Sequence, residues 1–130
     1  MSDQRPELLD ELARGGVKHT PESVVGIERT PDGRIVFLEM GNSRAGLQHI
    51  VERHAGDLAG RGIPEAQIPD DVMAAVTRGK RVGVQGTRPI FEVEFGGTTQ
   101  YISIDVGSNG YIVGANPTPS KLIPEPSGGE

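Results

Sequence analysis

The chain has 130 residues, a formal net charge of -5 at pH 7 and no cysteine. This length suits one compact domain, and the lack of cysteine excludes disulfides, thiolate nucleophiles and Cys-ligated zinc. No apolar run approaches the roughly 20 residues of a membrane span, so we expect no membrane anchor, and the N-terminus does not read as a signal peptide. The acidic balance argues mildly against nonspecific nucleic-acid binding, although residues 41–116 are nearly neutral and allow a local basic groove.

A short helix and a β-hairpin are predicted first. Residues 6–12 start with Pro6 and are followed by two glycines, which is typical of a helix start and stop, and we expect this helix to be peripheral. Residues 23–28 and 34–39 are β-rich, and the Pro-Asp-Gly between them favours a turn. Residues 1–16 are therefore interpreted as an N-terminal extension to the domain.

Two central helices follow. Ser43 is a plausible N-cap for a helix that runs to about Ala59 and ends at Gly60. Its apolar stripe at helical spacing consists of Leu47, Ile50, Val51, His54 and Leu58. A second helix is predicted to begin after Pro69, where two aspartates suit the positive end of the helix dipole, and to end at Gly79.

The remainder of the domain is predicted to be four strands, at 81–85, 90–95, 100–106 and 111–115. Turn-rich breaks separate them, which favours an antiparallel meander with one buried and one solvated face. The expected fold class is α+β, with an N-terminal helix and β-hairpin and two central helices packed on a C-terminal four-stranded antiparallel sheet. Residues 17–117 form the single predicted domain, and the Pro- and Gly-rich residues 118–130 a disordered tail.

Two of the three histidines, His49 and His54, lie on the first central helix. Imidazole titrates near neutral pH, so the pair suggests proton-transfer chemistry. Positions five apart differ by about 140° around a helix, so His54 is expected to face the sheet and His49 to point away. Each histidine also has an alternative without a catalytic role. His54 could be a histidine of the core, and His49 could be an ordinary surface histidine. Their spacing is not that of zinc-binding helices, and no metal or cofactor is predicted.

The segment from Gly86 to Pro89 is a second candidate site. Its small residues allow backbone N–H groups to approach an anion, Thr87 adds a hydroxyl, and Arg88 can clamp a phosphate. An ordinary hairpin loop has the same composition. Tyr101 belongs to a polar row that suits either a substrate or plain solvation. Further candidate substrate contacts are Ser103, Lys18, His19 and Lys80.

Four phrases carry a family resemblance: GLQHIVERHAGDLAGRGI, IPDDVMAAVTRGKRVG, TRPIFEVEFGG and VGSNGYIVGANP. They resemble the C-terminal toxin domains of bacterial polymorphic toxins, such as those of contact-dependent inhibition and Rhs-repeat proteins. These domains are similar to the barnase, EndoU, colicin and RelE ribonuclease superfamily. The resemblance runs from about Val17 to Pro117 and is most specific in the paired-histidine helix and the final NGYIVGANP strand.

The resemblance implies a metal-independent RNA endonuclease, often directed at tRNA and held inactive by a cognate immunity protein. Such a toxin is secreted or delivered and acts in the cytoplasm of the target cell. Position by position, the resemblance points to six residues, namely His49, His54, Thr87, Arg88, Tyr101 and Ser103.

In the mechanism that we expect, a base removes the ribose 2′-hydroxyl proton, that oxygen attacks phosphorus, and an acid protonates the departing 5′-oxygen. His54 is the favoured acid or base and Arg88 the phosphate clamp, with Thr87 or Tyr101 as auxiliary donor. Two alternatives stay open. One is a non-enzymatic acidic protein-binding module of a toxin-immunity system, and the other is an enzyme acting on a nucleotide or on protein.

Overall fold

A computed structural model describes residues 5–118. In that range the helices are α1 (Arg5–Arg14), α2 (Leu47–Ala59) and α3 (Ile68–Arg78). The strands are β1 (Val24–Arg29), β2 (Ile35–Glu39), β3 (Lys80–Gln85), β4 (Arg88–Phe95), β5 (Thr98–Val106) and β6 (Ile112–Pro117). This arrangement confirms the predicted α+β fold. No helix among the described residues has the length and apolarity to cross a membrane.

The strands form two antiparallel units that meet at β6. Strands β1 and β2 pair as a hairpin, and β3, β4, β5 and β6 lie side by side in chain order. Phe37 of β2 forms a parallel bridge with Tyr111, and its N–H donates to the carbonyl of Gly110 at 2.9 Å. The hairpin is thereby fixed beside the β6 edge of the larger sheet.

The main core lies between the helices and one face of the four-stranded sheet. Its fully buried side chains include Leu38, Ile50, Leu58, Ile63, Ile68, Val72, Ile102, Ile104 and Ile112. Helix α3 packs against α2, the hairpin and the central strands, so it is buried on almost all sides. One consequence is that the carboxylate residue Asp71 is fully buried.

Helix α1 is packed more firmly than the sequence suggests. Leu8 and Leu12 are buried in a second apolar cluster together with Val24, Ile27 and Phe37 of the hairpin. The expectation of a peripheral helix is wrong because the outer face of the hairpin is apolar and needs a cover. Burying two leucines contributes about 3 kcal/mol or more to that contact.

The start of α2 also differs from the prediction. The helix begins at Leu47 with Gly46 as its N-cap, while Ser43 lies in a turn closed by the bridge between Asn42 and Ala45. The N–H of Gly46 donates to the carbonyl of Val113 on β6 at 2.9 Å. Docking on β6 therefore sets the helix start, and a local capping preference at Ser43 does not decide it.

Two further boundaries are corrected. Arg88 and Pro89 belong to β4, so the predicted four-residue loop is a two-residue turn of Gly86, with φ +65°, and Thr87. Thr118 is fully buried, and its N–H donates to the carbonyl of Tyr101 at 2.8 Å, so the packed domain extends to this residue. The remainder of the predicted tail, 119–130, and residues 1–4 lie outside the described range.

Candidate functional site

The four-stranded sheet carries a polar face on the side opposite the main core. Side chains alternate along a strand, so Phe91 and Val93 contact the core while their neighbours in β4 project the other way. The register also places Lys80, Glu94 and Asp105 on that side. We call six of its polar residues the polar face: Gln85, Arg88, Glu92, Tyr101, Ser103 and Asn116.

A hydrogen-bonded network of three side chains forms the centre of the polar face. The Ser103 hydroxyl lies 3.0 Å from Oε1 of Gln85 and 3.3 Å from the carbonyl oxygen of Asn116. Asn116 Nδ2 donates to the same Gln85 oxygen at 3.1 Å. Ser103 is fully buried, so the expectation of a solvated strand residue is wrong there. The network connects β3, β5 and β6 and fixes both amide side chains.

Tyr101 forms a separate pair at the other end of the polar face. Its hydroxyl donates to Oε2 of Glu92 at 2.8 Å. This hydrogen bond, assisted by the nearby negative charges of Glu92 and Glu94, raises the pKa of the Tyr101 phenol above its usual value. The phenol therefore holds its proton firmly and directs it at Glu92.

His49 lies at the β6 edge of this face, although the sequence predicts that it points away. A Cβ at Gly114 would lie 3.5 Å from Cδ2 and 3.7 Å from Nε2 of the His49 ring. Gly114 and Asn116 are two residues apart in β6 and project to the same side. The prediction fails because α2 crosses the edge strand, where Gly114 leaves room for a ring on the flank of the helix.

The hydrogen bonding of His49 determines which ring nitrogen is available. Nδ1 lies 2.9 Å from the carbonyl oxygen of Ser43. A carbonyl oxygen only accepts, so Nδ1 carries the hydrogen, and the neutral ring has its lone pair on Nε2. Nε2 is on the side of the ring that approaches Gly114. His49 is therefore held as a proton acceptor beside the polar face.

Residues that pair across neighbouring strands form a row from Gly114, beside His49, to Arg88. Gly114 pairs with Asp105 of β5, and Gln85 pairs with Arg88 of β4. Continuing the register between β4 and β5 places Arg88 opposite Asp105. Adjacent strands lie about 4.8 Å apart, so the backbone of Arg88 is about 10 Å from that of Gly114. The carboxylate residue Asp105 lies between Arg88 and Gly114 in this row.

His54 has a different environment. Its side chain is half-buried, and Nδ1 lies 3.6 Å from Oδ2 of Asp57, one turn further along α2. At that distance no hydrogen bond is made, and Nδ1 has no other partner among the described residues. His54 is thus on the same helix as His49 but in a separate polar pair with Asp57.

The other predicted site residues fall into two groups. Lys80 pairs in register with Glu92 and so lies at the Tyr101 end of the polar face, whereas Thr87 is in the turn beside Arg88. Lys18 is exposed in the loop after α1. The His19 ring packs edge-on against Phe37 of the second cluster at 6.2 Å, and Nδ1 bonds to the carbonyl of Val17. The structure thus places the first group near the site and the second outside it.

Sequence reasoning missed the two amides, Gln85 and Asn116, and the role of Gly114. The sequence predicts Gln85 as the last residue of one strand and places Asn116 just after another. Each has only apolar or turn residues beside it in the chain, so neither stands out as a site residue. The sequence around them does contain a signal. Gly114 and Asn116 project to one side of the strand, and Val113 and Ala115 project to the other. It marks a strand with a small residue and an amide on one side.

Within residues 5–118, no three His, Asp or Glu side chains gather in an arrangement that could hold a metal ion. Comparison with known protein families and with curated proteins finds no match to the chain. The polar face and His49 therefore provide the chemistry from which a function can be inferred.

Proposed function

We propose that this protein is a metal-independent RNA endonuclease whose reaction takes place on the polar face beside His49. The observation that carries the proposal is the His49 ring, whose Nδ1 is held by the Ser43 carbonyl and whose Nε2 lies over Gly114. A histidine oriented through one nitrogen leaves the other to accept a proton from substrate. The resemblance of the paired-histidine helix to ribonuclease toxin domains supports the same chemistry.

The proposed reaction is an internal transfer at phosphorus. Nε2 of His49 takes the proton of the ribose 2′-hydroxyl as that oxygen attacks phosphorus, and the bond to the 5′-oxygen breaks. Arg88 stabilises the negative charge that accumulates on the phosphoryl oxygens. The amides of Gln85 and Asn116, positioned by Ser103, are donors for the ribose or the phosphate. The products are a 2′,3′-cyclic phosphate and a 5′-hydroxyl.

The departing 5′-oxygen needs a proton, and two groups are candidates to supply it. His54 is the candidate from the paired-histidine resemblance, whereas Tyr101 is already on the polar face. The raised pKa of Tyr101 and its hydrogen bond to Glu92 make it the weaker acid of the two. We therefore propose His54 as the acid, with Tyr101 as a positioning donor and Thr87 as an auxiliary phosphate contact at the adjacent turn.

The resemblance extends the proposal to the biological setting. We propose tRNA as the substrate, a cognate immunity protein as the inhibitor, and delivery into the cytoplasm of a target cell as the route of action. An immunity protein would inhibit by covering the polar face or His49.

The test is cleavage of total bacterial RNA and of purified tRNA by the purified protein, with and without excess EDTA. We expect cleavage in both conditions and 2′,3′-cyclic phosphate ends, because neither proton transfer nor charge stabilisation is assigned to a metal. The ends are identified by their resistance to polyadenylation until the cyclic phosphate is removed enzymatically. Cleavage that stops in EDTA and returns with magnesium would contradict the mechanism.

A second candidate function is protein binding without catalysis, and one surface favours it. A groove of about 790 Å³ next to α2 is lined by apolar Met40, Leu47 and Val51 and flanked by the carboxylates of Glu52 and Glu65. Met40 is 49% exposed there. A basic partner with an apolar segment matches this surface. A protein that leaves RNA intact but loses such a partner on Met40→Glu would support this reading instead.

A further inference from the structure

The hydrogen-bonded network at the centre of the polar face leaves two atoms of its amide side chains without a partner. Oε1 of Gln85 accepts from the Ser103 hydroxyl at 3.0 Å and from Nδ2 of Asn116 at 3.1 Å. Within residues 5–118, Nε2 of Gln85 and Oδ1 of Asn116 make no hydrogen bond, and neither atom is buried. The two bonded amides therefore present a free donor and a free acceptor to solvent.

The sheet holds this pair of amides in a fixed orientation. Gln85 lies in β3 and Ser103 in β5, so the Gln85 side chain extends across β4 to reach its partners. These two strands are about 10 Å apart, which leaves the side chain little freedom. Asn116 pairs in register with Ser103 and is held from the other side. The Gln85 amide can turn only by breaking both bonds to Oε1, so Nε2 stays in place as a donor.

Two carboxylates flank the amides and determine which ligand group suits them. The register places Asp105 on one side of the Ser103–Asn116 pair and Glu92 on the other. Residues on one side of a strand follow each other at about 7 Å, so both carboxylates are close to a group bound at the amides. A carbonyl oxygen brought to this place meets two negative charges, whereas an amino group is attracted by them.

Tyr101 adds a flat aromatic surface next to the amides. It precedes Ser103 by two residues in β5 and projects to the same side of the sheet. Its hydroxyl donates to Oε2 of Glu92 at 2.8 Å, which fixes the ring. An unpaired RNA base binds proteins by stacking on an aromatic ring and by hydrogen bonds along its edge. The Tyr101 ring and the two amides supply both kinds of contact.

We propose that the two amides recognise adenine, whose N6 amino group donates to Oδ1 of Asn116 while a ring nitrogen accepts from Nε2 of Gln85. Amide side chains pair with adenine through the same donor and acceptor. Adenine is also the one RNA base without a carbonyl oxygen, so it suits a place flanked by carboxylates. Under the proposed ribonuclease function, on which this step rests, the adenine belongs to a nucleotide next to the scissile phosphate. Nε2 carries two hydrogens, so one remains for the ribose or the phosphate.

The test is fluorescence anisotropy of the full chain with short labelled uridine strands that carry one central test base and 2′-O-methyl groups, which prevent cleavage. The test bases are adenine, cytosine, guanine, hypoxanthine and unsubstituted purine. We expect adenine to bind about three- to tenfold more tightly than purine, which lacks the amino group, since one hydrogen bond is lost. Hypoxanthine has a carbonyl oxygen in place of the amino group and should bind more weakly still. Equal affinity for all test bases, or tighter binding of another base than of adenine, would overturn the proposal.

Gln85→Glu separates base recognition from a structural role of the network. Its carboxylate still accepts from Ser103 and Asn116, and only the donor at Nε2 is lost. We expect this variant to lose the preference for adenine over hypoxanthine, because the N1–H of hypoxanthine can donate to the new carboxylate. Gln67→Glu adds the same charge at an exposed residue before α3 and should keep the preference.

Thermal unfolding verifies that both variants fold, and the series of bases on the unmodified protein does not depend on them. A folded Gln85→Glu protein that still prefers adenine would overturn the assignment of Nε2. Failure of the ribonuclease function appears differently, as adenine-selective binding by a protein that leaves unmodified RNA uncleaved.

Discussion

At the scale of single residues, the catalytic proposal depends on how each ring nitrogen of a histidine is engaged. His49 bonds to a backbone carbonyl through Nδ1 and directs Nε2 toward β6, whereas Nδ1 of His54 makes no hydrogen bond and lies 3.6 Å from the carboxylate of Asp57. We therefore propose His49 rather than His54 as the base, whereas helical spacing favours His54. The reason is the direction in which α2 crosses β6, which helix periodicity does not encode.

The histidine prediction uses three matched substitutions to glutamine. His49→Gln should lower the rate of RNA cleavage at least about a hundredfold, since it removes the general base while keeping size and polarity. His54→Gln should cost less, and His19→Gln, against Phe37, should leave the rate unchanged. Initial rates of tRNA cleavage measure all three. Full cleavage by a folded His49→Gln protein would remove the proposed role of His49, and the same result for the double variant with His54→Gln would remove the ribonuclease proposal.

A second residue, Asp71, makes stability depend on pH. Burial raises the pKa of its carboxyl from 3.8 to about 7, and neither oxygen has a hydrogen-bond partner among the described residues. Between about pH 4 and pH 7 the unfolded chain loses this proton while the folded protein keeps it. The contribution of Asp71 to the free energy of unfolding is thus highest below pH 4 and is lost as pH rises to 7.

Asp71→Asn should remove that loss, because the amide stays neutral at every pH. We expect the variant to be more stable than the unmodified protein at pH 8, by up to about 4 kcal/mol, since one pKa unit corresponds to about 1.4 kcal/mol. At pH 4 the two should be similar. Asp10→Asn, at an exposed site on α1, is the control. Urea unfolding at both pH values measures the difference. An equal pH dependence in the two proteins would show that Asp71 is ionised in the fold.

At the scale of elements, the sequence predicts those features that depend on neighbours in the chain. The turn residues Pro31-Asp32-Gly33 predict the β1–β2 hairpin. Two aspartates in the first turn and Gly79 after the last turn predict α3. Ser43 as N-cap failed because the bond from Gly46 to Val113 decides where α2 begins. Such contacts join residues that are far apart in the sequence, so local propensity cannot predict them.

The same distinction applies to the candidate site. Arg88 was a candidate from residue type alone, since the sequence places it in a loop, and Tyr101 was a candidate from strand alternation. Ser103 was misjudged because its burial comes from Gln85 and Asn116, which lie 18 and 13 residues away. Placing the three side chains in one network requires the strand register, and a single sequence leaves that register open.

The junction of the hairpin with the larger sheet can be tested with two glycines near β6. Gly110 has φ +93°, and a Cβ there would overlap the carbonyl oxygen of Ile35 in β2. Gly114 has open contacts, since its Cβ would meet only the His49 ring at 3.5 Å or more. We expect Gly110→Ala to lower the free energy of unfolding by at least about 2 kcal/mol and Gly114→Ala to change it by less than about 1 kcal/mol.

Urea unfolding measures both glycine variants, and Gly114→Ala serves as the control for replacing a glycine in this region. If Gly110→Ala is as stable as Gly114→Ala, the hairpin is not held in the described position against β6.

At the scale of the whole molecule, the chain is acidic but its proposed RNA contacts are cationic. The net charge is -5, whereas the side chain proposed to contact phosphate is that of Arg88 on the polar face. Each neutralised phosphate of a single strand releases counterions, so log affinity falls with log salt at a slope of about -0.7 per contact. We expect RNA to bind weakly but selectively, because local phosphate contacts act against the negative electrostatic field of the whole protein.

The predicted salt slope follows from counting these contacts. The single phosphate contact of Arg88 corresponds to a slope of about -0.7, far shallower than that of a protein with a broad basic surface. Fluorescence anisotropy with a short single-stranded RNA, measured with His49→Gln so that the RNA stays intact, gives the slope between about 50 and 200 mM salt. Arg88→Gln should bring the slope close to zero, whereas Arg14→Gln, at an exposed site on α1, should leave it unchanged. A slope that stays the same in Arg88→Gln would place the RNA elsewhere on the molecule.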